Sequence, residues 1–188
     1  MVVPLAAAST SPLLAWREPI YIVAGFAGVI GMALMLLQPL LIAGYLPGFS
    51  GPRGRRMHQW IGGCLAVAVI MHVGGLWITS PPDVVDALLF VSATPFSAWG
   101  VIAMWAVLAT TLLAMFRKRV RLRPRDWRRI HLALVVVIVI GTIVHAVLIE
   151  GTMEEVTKVL LSGLVLAAAI PVLIRFGRLA LRSTPRRG

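Results

Sequence analysis

The chain has one cysteine, Cys64, so no internal disulfide can form, and it holds no CxxC or CxxCH motif. A dithiol redox centre and a covalently attached c-type haem are therefore excluded. Acids are scarce: seven Asp and Glu stand against eighteen Lys and Arg in 188 residues, a formal net charge of +11. Charged residues of both signs make up 13%, about half of the roughly 25% usual in a soluble domain. No GxGxxG follows a strand pattern and no P-loop occurs, so flavin or nicotinamide chemistry feeding this chain is expected to come from another chain. Long polar stretches are missing as well. The longest, 117–129, is too short to fold alone, so residues 1–188 are expected to form one bundle without an appended domain. The acids lie at span ends or in loops, which excludes a di-metal carboxylate bundle.

Long apolar runs are what the chain has in abundance; 59% of it is hydrophobic. Runs of about twenty apolar residues match the thickness of a bilayer. The expected fold is all-α, an integral membrane helical bundle of about five transmembrane helices at 20–45, 58–79, 98–116, 130–149 and 156–174. The segment 84–93 is too short to cross and is expected to lie at the surface or re-enter. Residues 1–18 are apolar but broken by Pro4 and Pro12 and lack the basic start of a signal peptide. They are read as a surface segment, with room for a short sixth span.

Sixteen of the eighteen basic residues fall on one side of a five-span arrangement, in the loops after the first and third spans and in the tail 175–188. Arg17 and Lys158 fall on the other side, with six of the seven acids. Basic loops stay in the cytoplasm, so the N-terminus is expected outside and the C-terminus inside, in a membrane of the bacterial inner type. The positive charge is then an orientation signal with attraction to anionic lipid, and no nucleic acid partner is expected. The acidic outer rim (Asp83, Asp86, Glu150, Glu154, Glu155) is read first as a solvated loop surface and second as an attractor for a cationic acceptor.

Only four histidines occur, and they form two matched pairs. His58 and His72 are fourteen residues apart in one apolar run; His131 and His145 are fourteen apart in another. At about 3.6 residues per turn, fourteen residues is nearly four turns, so each pair shares a helix face. At about 1.5 Å per residue the two members stand roughly 21 Å apart along the axis. Each run opens with Arg-Arg-apolar-His, at 55–58 and at 128–131. Both runs cross in the same direction, so His58 is expected to meet His131 near the cytoplasm and His72 to meet His145 near the outer face.

Polar rings in a bilayer are costly and usually functional. The bland account makes each ring an interhelical hydrogen bonder or a wet helix end, but it leaves two identical spacings unexplained. Two bis-histidine b-type haems account for all four, each iron taking two axial imidazoles. Zinc fits poorly, because its ligands converge on one ion at about 2 Å. Arg55, Arg56, Arg128 and Arg129 beside the inner ligands are candidates for the haem propionates, or serve orientation alone. For the outer haem the cationic candidates are Arg17 and Lys158. Cys64 and the glycines (Gly25, Gly28, Gly31, Gly62, Gly63, Gly74, Gly75, Gly141) are read as packing residues first, the glycines also leaving room for a flat macrocycle. Trp60, Trp77, Trp99 and Trp127 are read as interfacial belt residues. Pro39 and Pro171 are expected to kink their spans.

The stretches RRMHQWIGGCLAVAVIMH (55–72), PFSAWGVIAMWAVLATTLLA (95–114) and WRRIHLALVVVIVIGTIVH (127–145) resemble the ferric-reductase-like transmembrane family. That family includes the membrane cores of NADPH oxidases, the iron-reducing membrane proteins and the haem subunit of the bacterial methionine sulfoxide reductase system. The resemblance implies two b-type haems on His58, His72, His131 and His145, fed by a cytoplasmic reductase or quinol and discharging to an extracytoplasmic acceptor. A quinone or flavin at the cytoplasmic face is implied with it. The family core usually has six spans where five are read here. Its oxidase and iron-reductase members carry a flavin and NADPH domain, so this chain is read as an oxidoreductase component without one. Two rival readings stand beside it: a quinol-oxidising cytochrome b subunit, and a haem-free membrane transporter or assembly factor.

Overall fold

The structure is a computed structural model, and it describes residues 17–150 and 153–182. Among them every regular element is a helix: α1 (Pro19–Ala43), α2 (Gly51–Thr79), α3 (Pro81–Leu88), α4 (Pro95–Val120), α5 (Pro124–Leu148) and α6 (Glu155–Arg182). All but α3 are long and apolar enough to span a bilayer. Among the described residues the expected all-helical membrane bundle forms, with five candidate spans. The surface segment and sixth span considered for residues 1–18 lie almost wholly outside the described residues.

Proline and left-handed caps punctuate the bundle. Helices α1 to α5 each carry a proline at the first or second position, where its missing N–H costs nothing and its φ suits the helix. Helix α1 stops at Gly44, whose φ of 75° lets its N–H reach back to the Leu40 and Leu41 carbonyls. Helices α1 and α6 run through Pro39 and Pro171 without ending. The helices outreach the apolar runs because their basic ends continue the turn: α2 starts seven residues before His58, and α5 seven before His131. The segment 84–93 contains the end of α3 and a turn in which Phe90 takes a φ of 59°. Buried Val84 anchors it.

Helix α1 packs most extensively on α2, and α4 on α5; α6 closes the bundle against α5 and α1. Helices α2 and α5, which carry the histidines, are not a closely packed pair. A core of Met32, Met35, Ala66, Val107, Ile138 and Val165, with neighbours from the same five helices, fills mid-height. Ala66 lies between His58 and His72 in sequence, and Ile138 between His131 and His145, so this apolar layer separates the two histidine levels. Large apolar side chains such as Trp60, Val67, Ile70 and Ile78 face outward, as lipid-facing surfaces require once the backbone is satisfied inside each helix. Cys64 faces outward too. It was read as a packing residue, but six residues at about 100° each carry it round to the side of α2 away from His58.

Candidate functional site

The histidines of α2 and α5 face each other at two levels. The His58 and His131 ring centroids are 6.2 Å apart with planes inclined at 72°. Those of His72 and His145 are 6.4 Å apart at 79°. Because α2 and α5 are each continuous through both of their histidines, the two levels are separated by roughly four helical turns. Among the described residues no group of three or more His, Cys, Asp or Glu side chains could hold a metal ion. A metal between either pair would take two protein ligands and fill its other positions from elsewhere.

The separations can be tested against that chemistry. With metal–nitrogen bonds of about 2.1 Å and ring centres about 1.1 Å behind the ligating nitrogens, two trans imidazoles place their centroids roughly 6.4 Å apart. Both pairs sit within a few tenths of an ångström of this spacing. A direct hydrogen bond between the rings would bring them closer. The two rings of each pair would fit a metal ion held between them.

The outer pair is seated by one device used twice. The His72 Nδ1–H donates to the Ala24 carbonyl of α1 at 2.8 Å, and a Cβ on Gly28, one turn further, would lie 3.0 Å from that nitrogen. The His145 Nδ1–H donates to the Phe96 carbonyl of α4 at 2.9 Å, and a Cβ on Gly100, again one turn further, would lie 2.6 Å from its Nδ1. In each case a glycine uncovers the carbonyl of the preceding turn. Donation from Nδ1 assigns the lone pair to Nε2, the tautomer a metal ligand needs. Gly75 and Gly141 bring the helices close enough for this, against Ala24 and against the Trp99 carbonyl. A cavity of about 480 Å³ holds the pair, lined among others by Gly28, His72, Gly100, Thr142, His145 and Lys158. That volume falls in the range of roughly 300–1,000 Å³ typical of small-molecule sites.

The inner pair is held differently. His58 Nδ1 lies 3.3 Å from the Gln38 carbonyl. The Gln38 amide, assigned with its oxygen accepting from the Gly62 N–H at 2.8 Å, donates from its nitrogen to the His58 carbonyl at 3.2 Å and to His58 Nδ1 at 2.5 Å. Among the described residues His131 Nδ1 is buried with no hydrogen-bond partner. Its ring is stacked instead on Trp127, one turn earlier, at 4.9 Å and 9°. The Arg117 guanidinium covers Trp127 at 4.4 Å.

Arg55, Arg56, Arg128 and Arg129 are exposed at the basic ends of α2 and α5, two or three residues before the inner histidines. Gln38, Gly100 and the Trp127 stack were not among the residues singled out as a site from the sequence. Gln38 carried a signal, since an amide inside a span is rare and usually functional. Gly100 carried none beyond being a glycine.

A family model described as "Ferric reductase like transmembrane component" matches residues 24–142. Comparison with curated proteins finds no match, and comparison with solved structures finds none.

Proposed function

The chain belongs to the ferric-reductase-like transmembrane family, and from that membership we propose that it carries electrons across the membrane on two b-type haems. The inner haem is held by His58 and His131 and the outer by His72 and His145. The observation that carries this reading is the pair of centroid separations, 6.2 and 6.4 Å, at two levels of two helices that do not pack closely on each other. When bound, a bis-histidine haem supplies one-electron transfer at a centre with no open position.

The protein's own residues do the rest. The Ala24 and Phe96 carbonyls hold the outer imidazoles in the ligating tautomer and raise their basicity. The apolar layer at mid-height excludes water between the levels. The charge asymmetry supports the inner level at the cytoplasmic side, in a membrane read as the bacterial inner type, with Arg55, Arg56, Arg128 and Arg129 available to the inner propionates. Electrons come from a cytoplasmic reductase or a quinol and leave to an extracytoplasmic acceptor.

Dithionite-reduced minus oxidised spectra of the detergent-purified chain, with haem quantified per polypeptide, test this. Two b-type haems are expected, falling to about one in His58→Ala and in His145→Ala. Near-perpendicular imidazole planes leave the iron's two π-type d orbitals close in energy, so the ferric protein should show strongly anisotropic low-spin EPR signals. A colourless protein from haem-supplemented cells would sink the reading. Reporter fusions at the C-terminus check the orientation, with a cytoplasmic signal expected.

A further inference from the structure

Lys158 is 7% exposed, in the first turn and a half of α6, and it lines the cavity that holds His72 and His145. Its ammonium donates to the Ile149 carbonyl, just beyond the end of α5, at 3.1 Å. That bond caps a helix terminus and uses one of three donors. Among the described residues the ammonium has no other partner. Asp83 and Glu150 line the same cavity, but both are exposed and neither pairs with it. The other outer cation, Arg17, lies over the Tyr21 ring at 4.9 Å. An ammonium set in a largely apolar cavity with donors to spare is suited to an anionic partner.

We propose that Lys158 binds a carboxylate at the outer end of the His72/His145 cavity. The cavity walls are largely apolar with one buried cation, so the ligand they suit is an organic acid with an apolar body. Two sources offer that chemistry: a propionate of the outer haem, or a small carboxylic acid entering from outside. The inference rests on the haem reading above. Removing the cation leaves the carboxylate's charge uncompensated. Negative charge favours ferric over ferrous iron, so the outer haem should become harder to reduce.

The experiment is a potentiometric titration of the purified full chain, with the outer step assigned by its absence in His145→Ala. In Lys158→Met the outer step should fall by at least a tenfold change in its reduction equilibrium, about 59 mV for one electron, or that haem should be lost. The inner step should stay in place, which reports an intact fold. Lys158→Arg should restore the outer step. If the source is a propionate, wild-type protein rebuilt with haem dimethyl ester should show the outer step raised, because the ammonium then stands uncompensated, and Lys158→Met in that rebuilt protein should bring it back down. If the source is a soluble acid, hexanoate should shift the outer haem spectrum of the wild type and not that of Lys158→Met. An outer step unchanged in Lys158→Met, with no hexanoate response in the wild type, overturns the proposal. A wild type without haem overturns the reading beneath it instead, and does so before any variant is made.

Discussion

Gly100→Val should strip the outer haem from the protein and leave the inner one, lowering haem from two per chain to about one. A Cβ at position 100 would sit 2.6 Å from His145 Nδ1 and 2.8 Å from its Cε1. The ring cannot retreat without giving up its bond to the Phe96 carbonyl. Overpacking costs about 1–3 kcal/mol, and the lost hydrogen bond about 0.5–1.5 kcal/mol. Together these weaken binding at the outer site by between about tenfold and a thousandfold. Gly28→Ala should act in the same direction but more weakly, because its Cβ would stand 3.0 Å from His72 Nδ1. Gly74→Ala is the control: position 74 is exposed with nothing within 4 Å, and alanine favours a helix. Haem content per chain and the reduced-band intensity read all three. Full haem content in Gly100→Val would show that the seat at His145 is not needed.

The contrast between Gly100 and Gly74 marks where the sequence stops being informative. The spans were legible because lipid demands runs of apolar residues. The histidine pairs were legible because fourteen residues nearly close four helical turns. Their mutual approach, His58 to His131 and His72 to His145, followed from α2 and α5 crossing in the same direction. Which glycine seats a ring was not legible. That depends on the rotation of α1 against α2 and of α4 against α5, and periodicity along one helix says nothing about its neighbour. Gly28 was singled out as one of a glycine repeat with Gly25 and Gly31, and Gly63 and Gly74 beside the histidines, yet Gly63 and Gly74 face outward while Gly28 and Gly100 touch the rings. Cys64 is a different case, since the step of about 100° per residue along α2 alone turns it away from His58.

Trp127 shows a second limit. An aromatic near a span end reads as an interfacial anchor, and its stacking on His131 emerges only when both rotamers are seen. Among the described residues three histidines have a neighbouring-helix carbonyl within reach of Nδ1, but His131 has none. The orientation of its ring rests on Trp127, which Arg117 in turn covers. Trp127→Leu should therefore loosen the inner centre alone. A ring stack of this kind is worth about 0.5–1.5 kcal/mol, which corresponds to roughly 2- to 13-fold faster loss of the inner haem to apomyoglobin. A His131 with no carbonyl to hold it should also give way more readily as a ligand. The reduced variant should then take up carbon monoxide at one haem per chain, while the outer centre, with both Nδ1 groups bonded, should refuse it. Trp127→Phe, which keeps a ring to stack, should fall between the variant and the wild type. The carbon monoxide difference spectrum and the haem-transfer rate measure this together. Equal uptake at both centres, or none in Trp127→Leu, would mean that the stack does not position the inner ligand. Selective uptake would show that the Trp127 stack holds the His131 ring in place of a carbonyl.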